Sequence, residues 1–375
     1  MFRSVLPADA YLDDRYIDLE NQRIFQKLWV FAGIRSTLSK KNAFLTRTIG
    51  GVPVVVTTVD GITIRAFENQ CRHRQMPLQS AAFGNRPMVC PYHAWSYDQD
   101  GKLRAVANAH LYQMRQSEKD SIGLREFAVR VIGNLIFVNL SENPLPIEEQ
   151  FDPKMLAEVA ECSSFMDARY AYTSFEVNYN WKLGYENAVD YNHVPFVHPS
   201  SVYKLWKKEG PDHQQNAFSE DMTWDLEETA HATAALPDLS CSRMVGFVLE
   251  PRPYTPLMRR YGDKDIHHTW FMYPNMGFGT IVGEWFVIQQ YEPIAPDRTR
   301  FHLWTTTAQS VDHRKDFLAL KRSVMEAEKR VVDEDVPLLE GLQRSLYRGC
   351  SPALLGAYER PIARIGKWYR DNVMA

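Results

Sequence analysis

Between residues 43 and 140, short runs of apolar residues alternate with polar ones, and each run ends at a turn signal. Residues 54–59 and 62–67 flank Asp60-Gly61, a pairing that predicts a β-hairpin. The same pattern recurs around Asp100-Gly101 and through Gly133-Asn134, so the region reads as a small all-β unit. Before it, Ile17, Ile24, Phe25 and Leu28 fall at helical spacing and predict a helix within residues 13–31. The polar, proline-rich stretch SENPLP at 141–146 marks a boundary. Beyond it the rhythm predicts a strand at 172–177, a helix at 181–192 and strands at 246–249, 269–273, 284–291 and 300–307. Helices follow at 313–346 and 361–373, whereas residues 207–243 read as a long polar loop suited to shaping or covering a site. The expected fold is α+β, with an all-β domain over residues 40–145. A second domain, built from residues 1–39 and 146–375, has an antiparallel sheet flanked by helices.

Composition narrows the function. The 375 residues, 45% hydrophobic and 24% charged, suffice for two globular domains. A net charge of -3 with no cluster of like charges leaves no electrostatic footprint for nucleic acid. No apolar stretch reaches the roughly 18 residues of a membrane span, and the first residues lack the core of a signal peptide. The expectation is a cytoplasmic protein with no membrane partner. Five cysteines, scattered at 71, 90, 162, 241 and 350, do not make a disulfide framework.

Two of those cysteines have histidine companions. The chain reads Cys71-x-His73, then sixteen residues, then Cys90-x-x-His93. Each arm offers one sulfur and one nitrogen, which suits a 2Fe-2S cluster whose irons carry two thiolates and two imidazoles respectively. Neutral imidazoles in place of thiolates raise the potential of such a cluster. Pro91 stiffens the second loop, Gly84 permits a tight turn, and Trp95 and Tyr97 are placed to wall the cluster from water. A Cys2His2 zinc site is the bland alternative, but zinc fingers usually pair like residues within an arm.

A second constellation lies in YNWKLGYENAVDYNHVPFVHP, residues 179–199. Glu186, Asp190 and His193 fall at i, i+4 and i+7, on one face of a continuous helix. His198, five residues past His193, would be turned away by about 140° on that helix. Pro195 disfavours helix at Val194, so a bend there brings the two imidazoles together. Two histidines and one carboxylate form the facial triad of ferrous oxygenases. The residues alone do not select the carboxylate from 46 acidic side chains.

The motifs C-x-H-R at 71–74 and C-P-Y-H at 90–93, with the histidine pair and D-x4-E-x-x-Q at Asp335, Glu340 and Gln343, resemble the Rieske oxygenase α subunits that hydroxylate aromatic rings. Gln75 and Ala94 stand where that family has glycine, a departure expected to alter local torsions or cluster hydrogen bonds. Asn192 occupies the position before the first histidine where tyrosine is common. The resemblance implies a Rieske 2Fe-2S cluster on Cys71, His73, Cys90 and His93, and one mononuclear Fe(II) on His193, His198 and Asp335. Asp190 would join His93 of one subunit to His193 of the next, fixing both tautomers, and Asn187 would stand near the iron's open side. It also implies a homotrimer, with a β subunit left open, and electrons from a separate reductase, with or without a ferredoxin. The chain has no nicotinamide fingerprint, so NAD(P)H enters only indirectly. The expected activity is oxygen-dependent mono- or dioxygenation, or oxidative demethylation, of a small aromatic or heteroaromatic substrate. Phe196, Val197, Met272, Phe278, Trp285 and Phe286 are pocket candidates that serve equally well as core. Asp190, where the quaternary-ammonium branch carries glutamate, tilts the reading away from choline-like substrates. The rivals are an oxygenase of that branch and a Rieske electron carrier without a second iron.

Overall fold

A computed structural model describes residues 2–3, 6–206, 235–250, 252–312, 317–349 and 354–375. The chain divides into two compact units, residues 21–147 and residues 1–20 with 148–375. Residues 21–39, assigned from the sequence to the second domain, thus lie in the first unit. The reason is a strand. Helix forms only over Asp14–Glu20, a wider turn follows at Asn21–Phe25, and Val30–Ile34 is extended instead of helical. Its five residues VFAGI are all buried and pair with Leu135–Asn139.

The first unit is a seven-stranded antiparallel sheet. Its strands are β1 (Val30–Ile34), β2 (Ala43–Ile49), β3 (Val52–Thr57), β4 (Arg65–Glu68), β5 (Phe83–Asn85), β8 (Glu126–Ile132) and β9 (Leu135–Asn139), in the order β1-β9-β8-β4-β3-β2-β5. Between β5 and β8 runs a separate ribbon of β6 (Ser96–Tyr97) and β7 (Leu103–Ala105). Hairpins form at Asp60-Gly61, Asp100-Gly101 and Gly133-Asn134. Phe44, Val55, Phe67, Leu78 and Trp95 form one apolar cluster around Cys71 and Cys90.

The second unit carries a six-stranded antiparallel sheet, β10 (Ala171–Val177), β15 (Arg298–Thr307), β14 (Trp285–Ala295), β13 (Met276–Ile281), β12 (Ile266–Met272) and β11 (Cys241–Gly246), in that order. The strand expected at 246–249 lies instead at Cys241–Gly246, and β13 has no counterpart in the sequence reading. Gly277 and Gly279 hide β13 from propensity, yet they face the cavity described below and leave it room. Of the polar loop, residues 207–234 lie outside the described residues. The long helix Leu318–Leu346 packs on β15 and β10.

Candidate functional site

Cys71 and His73 sit on one loop of the first unit, Cys90 and His93 on another, and the loops are built alike. In each, the cysteine N–H donates to the carbonyl five residues on, Met76 and Trp95. In each, the N–H four residues on, of Gln75 or Ala94, donates back to the cysteine carbonyl at 2.8 and 3.0 Å. Closing that turn requires a left-handed residue, and Gln75 and Ala94 adopt φ of 59° and 57°. Both residues thus hold a conformation that glycine adopts without strain. A side chain there costs about 1 kcal/mol. Ala94→Gly is accordingly expected to stabilise the unit by about 1 kcal/mol in denaturant unfolding, with the ligands undisturbed.

Both thiols are buried, while the imidazoles lie nearer the surface. The two Nδ1 atoms stand 3.1 Å apart, and His73 stacks on Trp95 with ring centroids 5.0 Å apart. This pairing of two interior sulfurs with two adjacent outer nitrogens fits a binuclear cluster with mixed ligands. Tyr97 adds a role the sequence reading missed. Its oxygen accepts from Arg72 N–H at 2.9 Å and lies 3.3 Å from Cys71 Sγ. Burial and the neighbouring thiol raise its pKa, so the phenol keeps its proton and is able to donate it to a Cys71 thiolate. Tyr97→Phe is expected to lower the cluster's midpoint potential by on the order of 50 mV, read by redox titration, because a hydrogen bond to the more negative reduced state is lost.

In the second unit, helix α1 (Trp181–Val189) ends earlier than Pro195 implied. Asp190 is its extended C-cap, and the Asp190 carboxylate accepts Asn192 N–H at 2.7 Å, which starts a new turn. Pro195 then stands at the beginning of α2 (Val194–Val197) instead of breaking a longer helix. The start of α1 is fixed from the long helix α3 (Leu318–Leu346). Glu340 accepts from the backbone N–H and side-chain amide of Asn178, and Gln343 accepts Asn180 N–H at 2.9 Å. The Glu and Gln of the D-x4-E-x-x-Q motif thus tie the start of α1, which leads on to the two histidines, to the helix that bears Asp335.

His193, His198 and Asp335 converge, each offering a ligand atom within 4.8 Å of the others. Asp335 Oδ1 is 3.1 Å from His198 Nε2 and 3.7 Å from His193 Nε2. That oxygen is buried yet accepts no hydrogen bond, and a cation held among the three atoms would satisfy it. Electrostatics agree. Burial lowers the basicity of His198, but Asp335 and Glu334 more than reverse this, so the site favours positive charge. Two imidazoles and a carboxylate suit a divalent iron.

The residues around the triad separate by task. Glu334, adjacent to Asp335 in sequence, holds His198 Nδ1 at 2.6 Å and takes a hydrogen bond from Ser201. Asp333 pairs with Lys329. His193 Nδ1 is buried without a hydrogen bond, and Asp190 Oδ2 lies 3.5 Å away. Glu186 does not share their face; it accepts from Tyr11 at 2.8 Å, and burial pushes its carboxyl up to about 7.

A cavity of ≈ 550 Å³ opens beside the triad, and Asn187 lines it. Its rings include Tyr191, Phe247, Phe271, Trp285 and Tyr291. Of the six pocket candidates only Trp285 contributes. Met272, Phe278 and Phe286 are buried without reaching it, Phe196 is exposed, and Val197 does not line it. Strand alternation explains the split, since Trp285, Val287, Gln289 and Tyr291 of β14 face the cavity and Phe286 faces away. On the wall, Tyr191 Oη donates to Thr269 at 3.1 Å, and Thr269 lies 3.0 Å from His267 Nε2. Burial lowers His267 to about 4, leaving that wall uncharged at neutral pH.

Known proteins resemble both parts of the chain. Residues 165–375 match the model of the ring hydroxylating alpha subunit catalytic domain, and residues 28–115 match the Rieske [2Fe-2S] domain. The glycine betaine monooxygenase oxygenase subunit of Chromohalobacter salexigens is 25% identical over 400 residues, spanning 99% of this chain and 86% of the relative. The anthranilate 1,2-dioxygenase large subunit of Acinetobacter baylyi is 31% identical over 206 residues, 52% of this chain and 43% of the relative. Among solved structures, a quaternary ammonium Rieske monooxygenase in complex with L-carnitine shares the fold with a TM-score of 0.72 at 20% identity, over 98% of this chain and 95% of that one. Naphthalene 1,2-dioxygenase from Rhodococcus gives 0.71 at 19% identity, over 97% and 93%.

Proposed function

This chain belongs to the ring hydroxylating alpha subunit family of Rieske non-haem iron oxygenases, and from that premise we propose that it oxidises a small organic substrate in the cavity beside His193, His198 and Asp335. Members of this family carry a Rieske 2Fe-2S cluster and a mononuclear iron, and use O2 with electrons from a separate reductase. In this chain Cys71, His73, Cys90 and His93 would hold the cluster, and His193, His198 and Asp335 the iron. When bound, the cluster supplies one-electron transfer and the mononuclear iron the activation of dioxygen. The protein's part is positional. Glu334 fixes the His198 tautomer through Nδ1. Asn187 stands where it can direct a substrate's polar group, and the aromatic walls exclude water.

Asp190 is the proposed link between the centres. One carboxylate oxygen is engaged by Asn192, and the other lies within reach of His193 Nδ1. In a homotrimer that second oxygen would also accept from His93 of the partner subunit, connecting the two imidazoles through one carboxylate. The reductase acts directly or through a ferredoxin. Among the described residues no helix is long and apolar enough to cross a membrane, in keeping with a cytoplasmic location.

The observation that carries this reading is the unsatisfied Asp335 Oδ1 between two imidazoles at the edge of an aromatic cavity. It disfavours the electron carrier without a second iron. The cavity's rings also suit a quaternary ammonium group, and the glycine betaine monooxygenase relative matches nearly the whole chain. A screen with a surrogate reductase, read by mass spectrometry, is expected to show one or two added oxygen atoms or the loss of a methyl group in at least one small substrate. Electron consumption with no oxidised product from aromatic, heteroaromatic and quaternary-ammonium candidates would count against it.

A further inference from the structure

Helix α3 faces the cavity with Leu320, Val324, Ala327, Glu328, Val331 and Asp335, a stripe at helical spacing. Asp335 belongs to the triad. Glu328 is the other acid of the stripe, seven residues and therefore about 10 Å along the helix from Asp335. Among the described residues it has no hydrogen-bond or ion-pair partner. Its side chain is half-buried on the cavity wall, and the partial loss of water there, only partly offset by His198, pushes its carboxyl up to about 7. Tyr191 lies within electrostatic range, but its hydroxyl donates to Thr269. Lys204 and Arg330 line the cavity, both are exposed, and neither pairs with Glu328.

An unpartnered carboxylate in an aliphatic and aromatic wall is solvated only from the cavity, so a ligand that displaces that water must restore what the water supplied. A hydrocarbon leaves it dry. A quaternary ammonium brings charge but no N–H, so it forms no hydrogen bond and is recognised by ring faces. An ammonium with at least one N–H provides both charge and a charge-assisted hydrogen bond. Resting on the reading of this cavity as the substrate site, we propose that Glu328 determines specificity, and that the substrate is a small protonated amine. Its N–H is directed at Glu328, and the end to be oxidised lies towards His193, His198 and Asp335.

The test uses N,N-dimethylbenzylamine and N,N-dimethylphenethylamine, each beside its trimethylammonium analogue and its neutral hydrocarbon isostere. Dissociation constants are measured on the holoenzyme by calorimetry at about pH 8, where carboxylate and ammonium are both charged. At least one amine is expected to bind about tenfold or more tighter than both of its analogues. That ratio should collapse to about one in Glu328→Gln and be partly kept in Glu328→Asp, as a ratio within one folded variant is insensitive to overall stability. A preference that survives in Glu328→Gln, or no amine binding more tightly than its analogues, overturns the assignment. Turnover reads the broader function separately. Oxidation of a neutral substrate without amine preference removes Glu328's role and leaves an oxygenase, whereas amine preference in a protein lacking the third iron does the reverse.

Discussion

Alanine at Asp335 is expected to leave two irons and two sulfides per chain and no detectable product, with the cluster's visible spectrum unchanged. The carboxylate is the anionic member of the triad, and its Oδ1 is the acceptor left without a hydrogen bond at the point of convergence. Removing it leaves two neutral imidazoles, a poor set for ferrous iron. Glu334 does not take over. It is one residue away, about 100° around the helix, and is held behind His198 by that ring and by Ser201. Glu334→Gln should be the milder lesion, weakening iron affinity by about 10- to 100-fold through the loss of a supporting contact. Equal iron content in Asp335→Ala and the parent protein would remove Asp335 from the ligand set.

The second large effect is expected at Asp190, where metal content stays and function goes. Asp190→Asn keeps an oxygen for Asn192 N–H, and with it the turn that begins α2. The acceptor that reaches towards His193 Nδ1 is replaced by an amide. Three irons per chain should remain, while product formation falls by about 100-fold or more. A pre-reduced cluster should stay reduced when oxygen and substrate are supplied. Rapid reoxidation in this variant, at the parent's rate, would show that Asp190 is not the link.

Much of the site is legible because its chemistry is written in short local spacings. Cys71-x-His73 and Cys90-x-x-His93 place a thiol and an imidazole on each of two tight loops, and the structure shows why. Both loops close through the same pair of backbone hydrogen bonds. What does not follow from spacing is long-range. Asp335 lies 142 positions after His193 and came only from a resemblance, since nothing in VVDEDV distinguishes the three acids until α3 is packed. Once it is, one faces the imidazoles, one supports His198 from behind and one meets Lys329.

The fold misreadings have similar causes. Val30–Ile34 continues a helical spacing in sequence, but its apolar run is stabilised better as a strand on Leu135–Asn139. The strand Met276–Ile281 is obscured by glycines whose value is tertiary, as they leave open the face that the cavity occupies. Helix α1 ends at Val189 because Asp190 begins an alternative turn, a side-chain effect stronger here than the more visible Pro195.

The central claim is that one chain builds two different iron environments. Iron and acid-labile sulfide, determined on anaerobically purified, iron-replete protein, test it most directly. Three irons to two sulfides per chain is the expected result, with the third lost on replacing His193 or His198 by alanine. Two irons to two sulfides, unaltered by those substitutions, would contradict it.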